Sequence, residues 1–398
     1  MHRIAVIGRG LIGSAATRHL AESTDGILCV GPDEPRVRTA HTGVFASHYD
    51  EGRITRLVDP IPEWSITAAQ SIRRYRELEV RSGISFYNPV GYLGLGHPGS
   101  TYNARCAATG KASGAKLERL DAAAIRTRYP YLSIPDDTDG LVETGGAGHI
   151  SPRRMVEAQT VLAEQAGAQM VRQAARAVRP VSNSVEIELF DGSVLTVERA
   201  LIAAGAFTAV CGLSPVDLGL IVYGRTTVLV RIEGNVLEVL QDMPTMIDAK
   251  IGAYILPPIL YPDRHHYLKI GVGRASDPSF TSLDGLQTWF KGEGAEVDIR
   301  EFTARLKELF PILNKCQVWQ SDTCAVTKTA TGLPIIDFVS GNRLAVAVGG
   351  CGKGAKGADE WGRIAAGLIL GQPWSSDVAH EKLALAPRDA DALQQIHA

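Results

Sequence analysis

Two hydrophobic periods divide the chain. Short unbroken apolar runs that each lead into glycine, RIAVIG at 3–8, GILCVG at 26–31, RALIAAG at 199–205 and RLAVAVGG at 343–350, have the form of strands buried on both faces of a parallel sheet. Alternating runs such as TTVLVRI at 226–232 and HYLKIGVG at 266–273 predict a sheet of a different kind between Tyr223 and Trp319, with one helix near Glu301 to Phe310. Helical spacing of apolar residues spans Ile61 to Ser82. Asp121 opens a helix that Pro130 stops, and Ser151 with Pro152 caps another. YNPVGYLGLG reads as β structure, and Asp191-Gly192 turns a β-hairpin. The buried-strand pattern therefore starts at the N-terminus, is interrupted, and resumes. The order predicts an α/β and α+β protein with two interleaved domains. One is a Rossmann-like nucleotide domain over 1–88, 145–220 and 321–398. The other is a mixed-sheet substrate domain over 89–144 and 221–320. Internal repeats, low-complexity segments and charge runs are not evident.

Composition changes this picture little. With 41 basic and 43 acidic residues and 45% apolar content, the 398-residue chain reads as a soluble, core-forming protein with no bias toward nucleic acid or a membrane surface. No apolar run approaches the roughly 18–20 residues that span a bilayer. A strand pattern from residue 3 leaves no room for a signal peptide, so a cytoplasmic location is expected. The cysteines at 29, 106, 211, 316, 324 and 351 show no paired spacing. That argues against a zinc site or a disulfide framework, so no metal is expected.

The chemistry begins at the first glycine turn. Gly8, Gly10 and Gly13, with Leu11 and Ile12 between them, match G-x-G-x-x-G placed between a strand and an Ala-rich helix. The first glycine allows a tight turn, the second lets backbone approach a pyrophosphate, and the third admits close helix packing at a positive helix end. A purely structural glycine turn is the alternative. The second strand should end in an acid that holds a ribose, but Gly31 stands there and Asp33 and Glu34 follow in the loop. Five glycines between Gly349 and Gly357 suggest backbone lying against a flat ligand or an anion, with a glycine hinge as the alternative.

Four segments together resemble the FAD-dependent amine-oxidising flavoproteins of the D-amino-acid oxidase type, above all the monomeric sarcosine oxidase and N-methyltryptophan oxidase branch. The resemblance runs the full length in the same order, and implies a glutathione-reductase-type FAD domain. SHYDEGRITR resembles the segment that sets two arginines beside the flavin: Arg53 matches the one near the ring and Arg56 the one that grips the substrate carboxylate. Tyr49, a substrate-side position, departs from the histidine of the sarcosine oxidases, and His48 precedes it. YLKIGVG resembles the strand of the oxygen-activating lysine, matched by Lys269, although Gly273 stands where the family has a histidine. SDTCAVTKTATGLPIID resembles the segment whose cysteine is joined to the flavin, which makes Cys324 the tether. GGCGKGAK resembles the last glycine loop. In it Lys356 matches the lysine that shares the substrate carboxylate with Arg56, while Lys353 and Ala355 replace a histidine and an aromatic. Ala204, Gly205, Gly350, Gly352 and Gly354 complete the implied cofactor contacts, with Asp33 as the displaced ribose acid.

The resemblance implies a monomeric oxidase, with FAD held covalently, that acts on a secondary or N-methylated amino acid. The substrate carboxylate would sit between Arg56 and Lys356. A hydride equivalent would leave a carbon beside nitrogen, water would hydrolyse the imine, and O2 would be reduced to hydrogen peroxide at Lys269. The departures at Gly273, Lys353 and Ala355 make the pocket less aromatic and more cationic, so sarcosine itself is not expected to be the best substrate. Four alternatives stay open: a dehydrogenase of the same fold, a glycine-oxidase-like enzyme with non-covalent FAD, a nicotinamide enzyme sharing only the N-terminal turn, and a non-catalytic flavin-binding protein.

Overall fold

The computed structural model describes residues 2–385. The apolar runs do form one sheet. His2–Ile7 pairs in parallel with Ile27–Val30 on one side and with Val194–Ile202 on the other. Gln169–Val171 and Leu344–Val348 extend the parallel part at its two edges. The hairpin strands Ala175–Val181 and Ser184–Leu189 and the strand Ile335–Ser340 add antiparallel neighbours, which makes eight strands. Helices Leu11–Ala21, Pro152–Gln165 and Ala358–Leu370 pack together, with Ala16, Leu20, Ala163 and Ile364 in one buried cluster beside the sheet. The hairpin turns at Gly192 with φ of +86°, as Asp-Gly demands. Ser151 caps its helix by accepting from Arg154 N at 3.2 Å, with Pro152 at the first position.

A nine-stranded mixed sheet forms the second layer, with Ile221–Ile232, His266–Val272 and Ala253–Leu260 adjacent and antiparallel. The region between Tyr223 and Trp319 is less purely β than the alternation implies. Helices Gly234–Leu240 and Leu283–Lys291 lie in it besides Glu296–Leu309, where one helix was expected. Both are short, of 7 and 9 residues, so two turns of periodicity disappear beside longer alternating runs. Thr101–Ala112 is a further helix without a clear apolar stripe. The strand Trp319–Lys328 hydrogen-bonds along ten positions to Ile221–Ile232, so the chain crosses back to the first sheet after Lys328 and not at 321. The expected third segment of the nucleotide domain also includes 386–398, which lie outside the described residues. A three-stranded sheet of Arg53–Thr55, Gly148–Ile150 and Tyr87–Asn88 lies apart from both large sheets and carries Arg53. Among the described residues no helix is long and apolar enough to cross a membrane.

Candidate active site

The glycine turn is built for close approach. Gly8 has φ of +112°, and a Cβ there would lie 2.4 Å from the Ala203 carbonyl oxygen. A Cβ on Gly13 would lie 1.8 Å from the Gly8 carbonyl oxygen, so only glycine lets the helix start this near the strand. Gly10 faces open space, with the His48 ring nitrogen Nδ1 3.9 Å from where its Cβ would be. His48 is half-buried on the cavity wall, and desolvation, reinforced by Arg153, Arg9 and Arg53, pushes its imidazole down to about 3, so it is neutral. Its Nδ1 is buried and has no hydrogen-bond partner among the described residues. A backbone cradle beside an unsatisfied ring nitrogen fits a dinucleotide.

Gly31 explains the missing ribose acid. A Cβ there would meet both Arg9 N and Arg9 Cβ at 2.8 Å, so this position has no room for a carboxylate side chain. Asp33 does not replace it on the cavity wall. It is half exposed and held between Arg9 Nη2 and Arg172 Nη1, each at 2.7 Å, outside the cavity lining. Arg9 itself does line the cavity, and its Nε is buried without a partner among the described residues.

From this turn a cavity of about 620 Å3 runs between the two sheets, within the roughly 300–1,000 Å3 usual for small-molecule sites. It gathers most of the residues singled out in sequence: Gly8, Gly10, Leu11, Ile12, His48, Tyr49, Arg53, Arg56, Ala204, Gly205, Gly273, Cys324, Gly350, Gly352, Gly354 and Lys356. Gly13 acts one layer back, through packing. Among the described residues seven basic ones line the wall (Arg9, Arg53, Arg56, Arg225, Lys328, Lys353 and Lys356), and no acidic one does. Sequence reasoning missed Arg225 and Tyr254. A Cβ on Gly273 would lie 3.3 Å from Arg225 Nε, and one on Gly271 would lie 2.6 Å from the Tyr254 ring. Their signal was the pair of glycines at alternate positions of an otherwise bulky strand.

At one end of the cavity Arg56 and Lys356, 300 residues apart in sequence, meet. Arg56 is buried, donates from Nη2 to the Tyr102 hydroxyl at 3.1 Å and lies 4.6 Å over the Tyr92 ring. Its Nη1 is buried with no partner among the described residues. Asp59, another residue the sequence did not flag, accepts from Lys353 at 2.8 Å and from Lys356 at 2.6 Å. Burial, opposed by Asp59 and assisted by Arg56, brings Lys356 down to about 8. Glu143 is fully buried behind the loop and accepts from Leu57 N and Val58 N at 2.9 and 3.0 Å. Burial raises the Glu143 carboxyl, so the three cations outnumber the carboxylates that face them, and Arg56 Nη1 has no partner among the described residues.

Cys324 lines the same cavity, directly across from Arg225 in the strand ladder. Burial raises its thiol, while Arg53, Lys269 and Arg225 pull the other way. Lys269, the match to the oxygen-activating lysine, is set back from the cavity. It is 1% exposed and does not line the cavity, because Asp50 accepts an ion pair from it and the Gly52 carbonyl accepts at 2.9 Å. Arg53, in the strand Arg53–Thr55 and not at a helix start, forms the wall in front and also pairs with Asp50.

A family model described as FAD dependent oxidoreductase matches residues 3–368. The chain belongs to this family. Among curated relatives of this FAD-dependent oxidoreductase is N-methyl-L-tryptophan oxidase of Escherichia coli, 27% identical over 212 residues, which cover 51% of this chain and 54% of the relative. The chain thus spans about half the length of the curated relatives it matches. Glycine oxidase from Geobacillus kaustophilus shares the fold, with a TM-score of 0.75 and 20% identity over 98% of this chain and 100% of that one. So does NikD, an unusual amino acid oxidase essential for nikkomycin biosynthesis, in its open form, with a TM-score of 0.75 and 17% identity over 96% and 97% of the two chains.

Proposed function

We propose that this FAD-dependent oxidoreductase is an oxidase of secondary or N-methylated amino acids that bear one carboxylate. The observation that carries this reading is Arg56. A buried guanidinium with an unpaired Nη1, facing a cavity that no acid lines, has a place for one anionic oxygen. With Lys353, Lys356 and Asp59 around it, the site holds more cations than carboxylates, which favours a substrate carboxylate. The E. coli relative, named for an N-methylated amino acid, lends the substrate class further support.

FAD fits the cradle at Gly8–Gly13 and the unsatisfied His48 Nδ1. Bound there, its chemistry would be removal of a hydride equivalent from a carbon beside the amine nitrogen, giving an imine that water hydrolyses, and delivery of two electrons to O2 to give hydrogen peroxide. The chain's own work is positioning. Arg56 and Lys356 would hold the carboxylate, Tyr254 and Arg225 would close the wall over the two glycines, and Tyr49 would border the cofactor end. Neither His48 nor His149 is a strong base, since burial pushes them down to about 3 and about 4. Catalysis then rests on orientation and electrostatics. Cys324 would be the covalent tether, and Lys269 the cation for oxygen.

Acid precipitation of purified protein tests the tether. Flavin absorbance stays with the pellet in the wild type and moves to the supernatant in Cys324→Ala. Anaerobic bleaching by N-methyl amino acids, followed by admission of oxygen, tests the reaction. A flavin that no secondary amine bleaches would overturn it, and a reduced flavin that air does not restore would make the protein a dehydrogenase.

A further inference from the structure

Among the described residues Lys269 has a single ion-pair partner. Its strand, His266–Val272, is flanked by Leu229 and Leu256 at the lysine's own level, and neither offers a counter-ion. The ammonium reaches instead to the loop before Arg53–Thr55, where Asp50 takes it through Oδ2. The same Oδ2 takes Arg53 Nη1, while Oδ1 accepts from the Tyr261 hydroxyl at 2.8 Å and from Glu51 N at 2.7 Å. Gly52 makes the loop fit: a Cβ there would lie 2.7 Å from a Leu256 methyl, so only glycine brings this loop and its carbonyl down onto Lys269. Other charged or titratable groups face the ammonium from neighbouring elements. They are Arg53 and Glu51 on the loop, Cys324 and Asp322 on Trp319–Lys328, one strand beyond Ile221–Ile232, and the neutral His149. Among the described residues only Asp50 forms an ion pair with it.

We infer that Asp50 is a positioning residue for the oxygen half-reaction: it holds Lys269 in place behind Arg53 and keeps it an ammonium in a dry site. This rests on the reading of Lys269 given above. A buried lysine beside an arginine loses its proton readily, and burial and Arg53 already push Lys269 down. One carboxylate shared by two cations leaves a net positive charge on this trio, with Arg53 as the member that lines the cavity. Without Asp50 that charge would depend on pH.

The test combines 13C NMR of [ε-13C]lysine-labelled holoenzyme, with the Lys269 signal assigned by its loss in Lys269→Met, and stopped-flow reoxidation across pH 6–10. In Asp50→Asn the Lys269 titration is expected to fall by about 1–3 pH units, the usual effect of one adjacent opposite charge. Reoxidation is expected to slow above the new midpoint, and Asp50→Glu should restore both. If Asp50→Asn does not fold, Tyr261→Phe, which removes one support of the carboxylate, should shift both in the same direction by a smaller amount. An unmoved Lys269 titration in the variant that folds overturns the inference. If instead the titration moves but Lys269→Met reoxidises as fast as wild type, Asp50 still governs the lysine and the oxygen role of Lys269 is what fails.

Discussion

Arg56 shows how much one unpaired donor can say. The sequence marked it only through a resemblance, whereas its burial and its free Nη1 give it a physical task. Replacing it with Gln should weaken carboxylate binding by about 1.5–3 kcal/mol, the worth of a charge-assisted hydrogen bond. Titrating the flavin spectrum with substrate under anaerobic conditions would measure this, and an unchanged dissociation constant would remove Arg56 from the site. Lys356 adds a pH dependence. With its proton held only up to about 8 in the free protein, affinity for a carboxylate that carries no amine should be full below that pH and decline as pH rises through it. In Lys356→Met the affinity should be lower and flat across the same range. Asp59 and Asp50 could not be picked out beforehand, because an isolated aspartate in a loop carries no periodicity and no motif; its partners lie 297 and 219 residues away.

Among the elements, the strand–turn–helix of residues 2–21 was legible nearly to the residue, since Gly8 and Gly13 each answer to a contact that any side chain would break. Gly13→Ala places a methyl 1.8 Å from the Gly8 carbonyl oxygen. The helix must then move away from the strand, and the variant should purify with little flavin, read as the ratio of visible to 280 nm absorbance. Full flavin content would mean that the helix start tolerates displacement. The short helices within the second sheet were not legible. Leu283–Lys291 buries only Leu286 and Phe290 fully, too few positions to establish a period against the alternation around it. The strand Trp319–Lys328 was readable as a strand, but its partner was not. Alternation fixes which residues share a face and leaves the neighbouring strand open.

Across the whole molecule, one buried cluster joins helices drawn from both ends and the middle of the chain. Asp359 is fully buried and accepts from Arg18 at 2.8 Å, Arg74 at 2.5 Å and Gln159 at 2.9 Å. Burial alone would push this carboxyl up, but His19, Arg74 and Arg18 hold it well below its ordinary value. A depressed carboxylate stabilises the fold above the unfolded-state value of about 4, and that contribution is lost as pH falls below it. Wild-type unfolding free energy should therefore drop between pH 4 and lower values. Asp359→Asn should cost about 3–5 kcal/mol at pH 7 by leaving buried arginines unpaired, and its stability should depend less on pH in the acid range. Denaturant unfolding at several pH values would show whether the two curves converge as predicted.

What the sequence by itself determined is local: the buried runs, the caps, the glycine turn and the alternation of the second sheet. Each follows from the side-chain period and from backbone sterics within about twenty residues. The tertiary structure alone decided which charges meet. Asp59 joins two lysines from the far end of the chain, Asp50 withdraws Lys269 from the cavity wall, and Arg9 closes the place of the ribose acid. Ion pairs carry no sequence period. Their partners are chosen by how two sheets and their loops pack, and among the described residues that packing sets Asp50, Asp59 and Glu143 off the cavity wall and leaves Arg53, Arg56 and Lys356 on it.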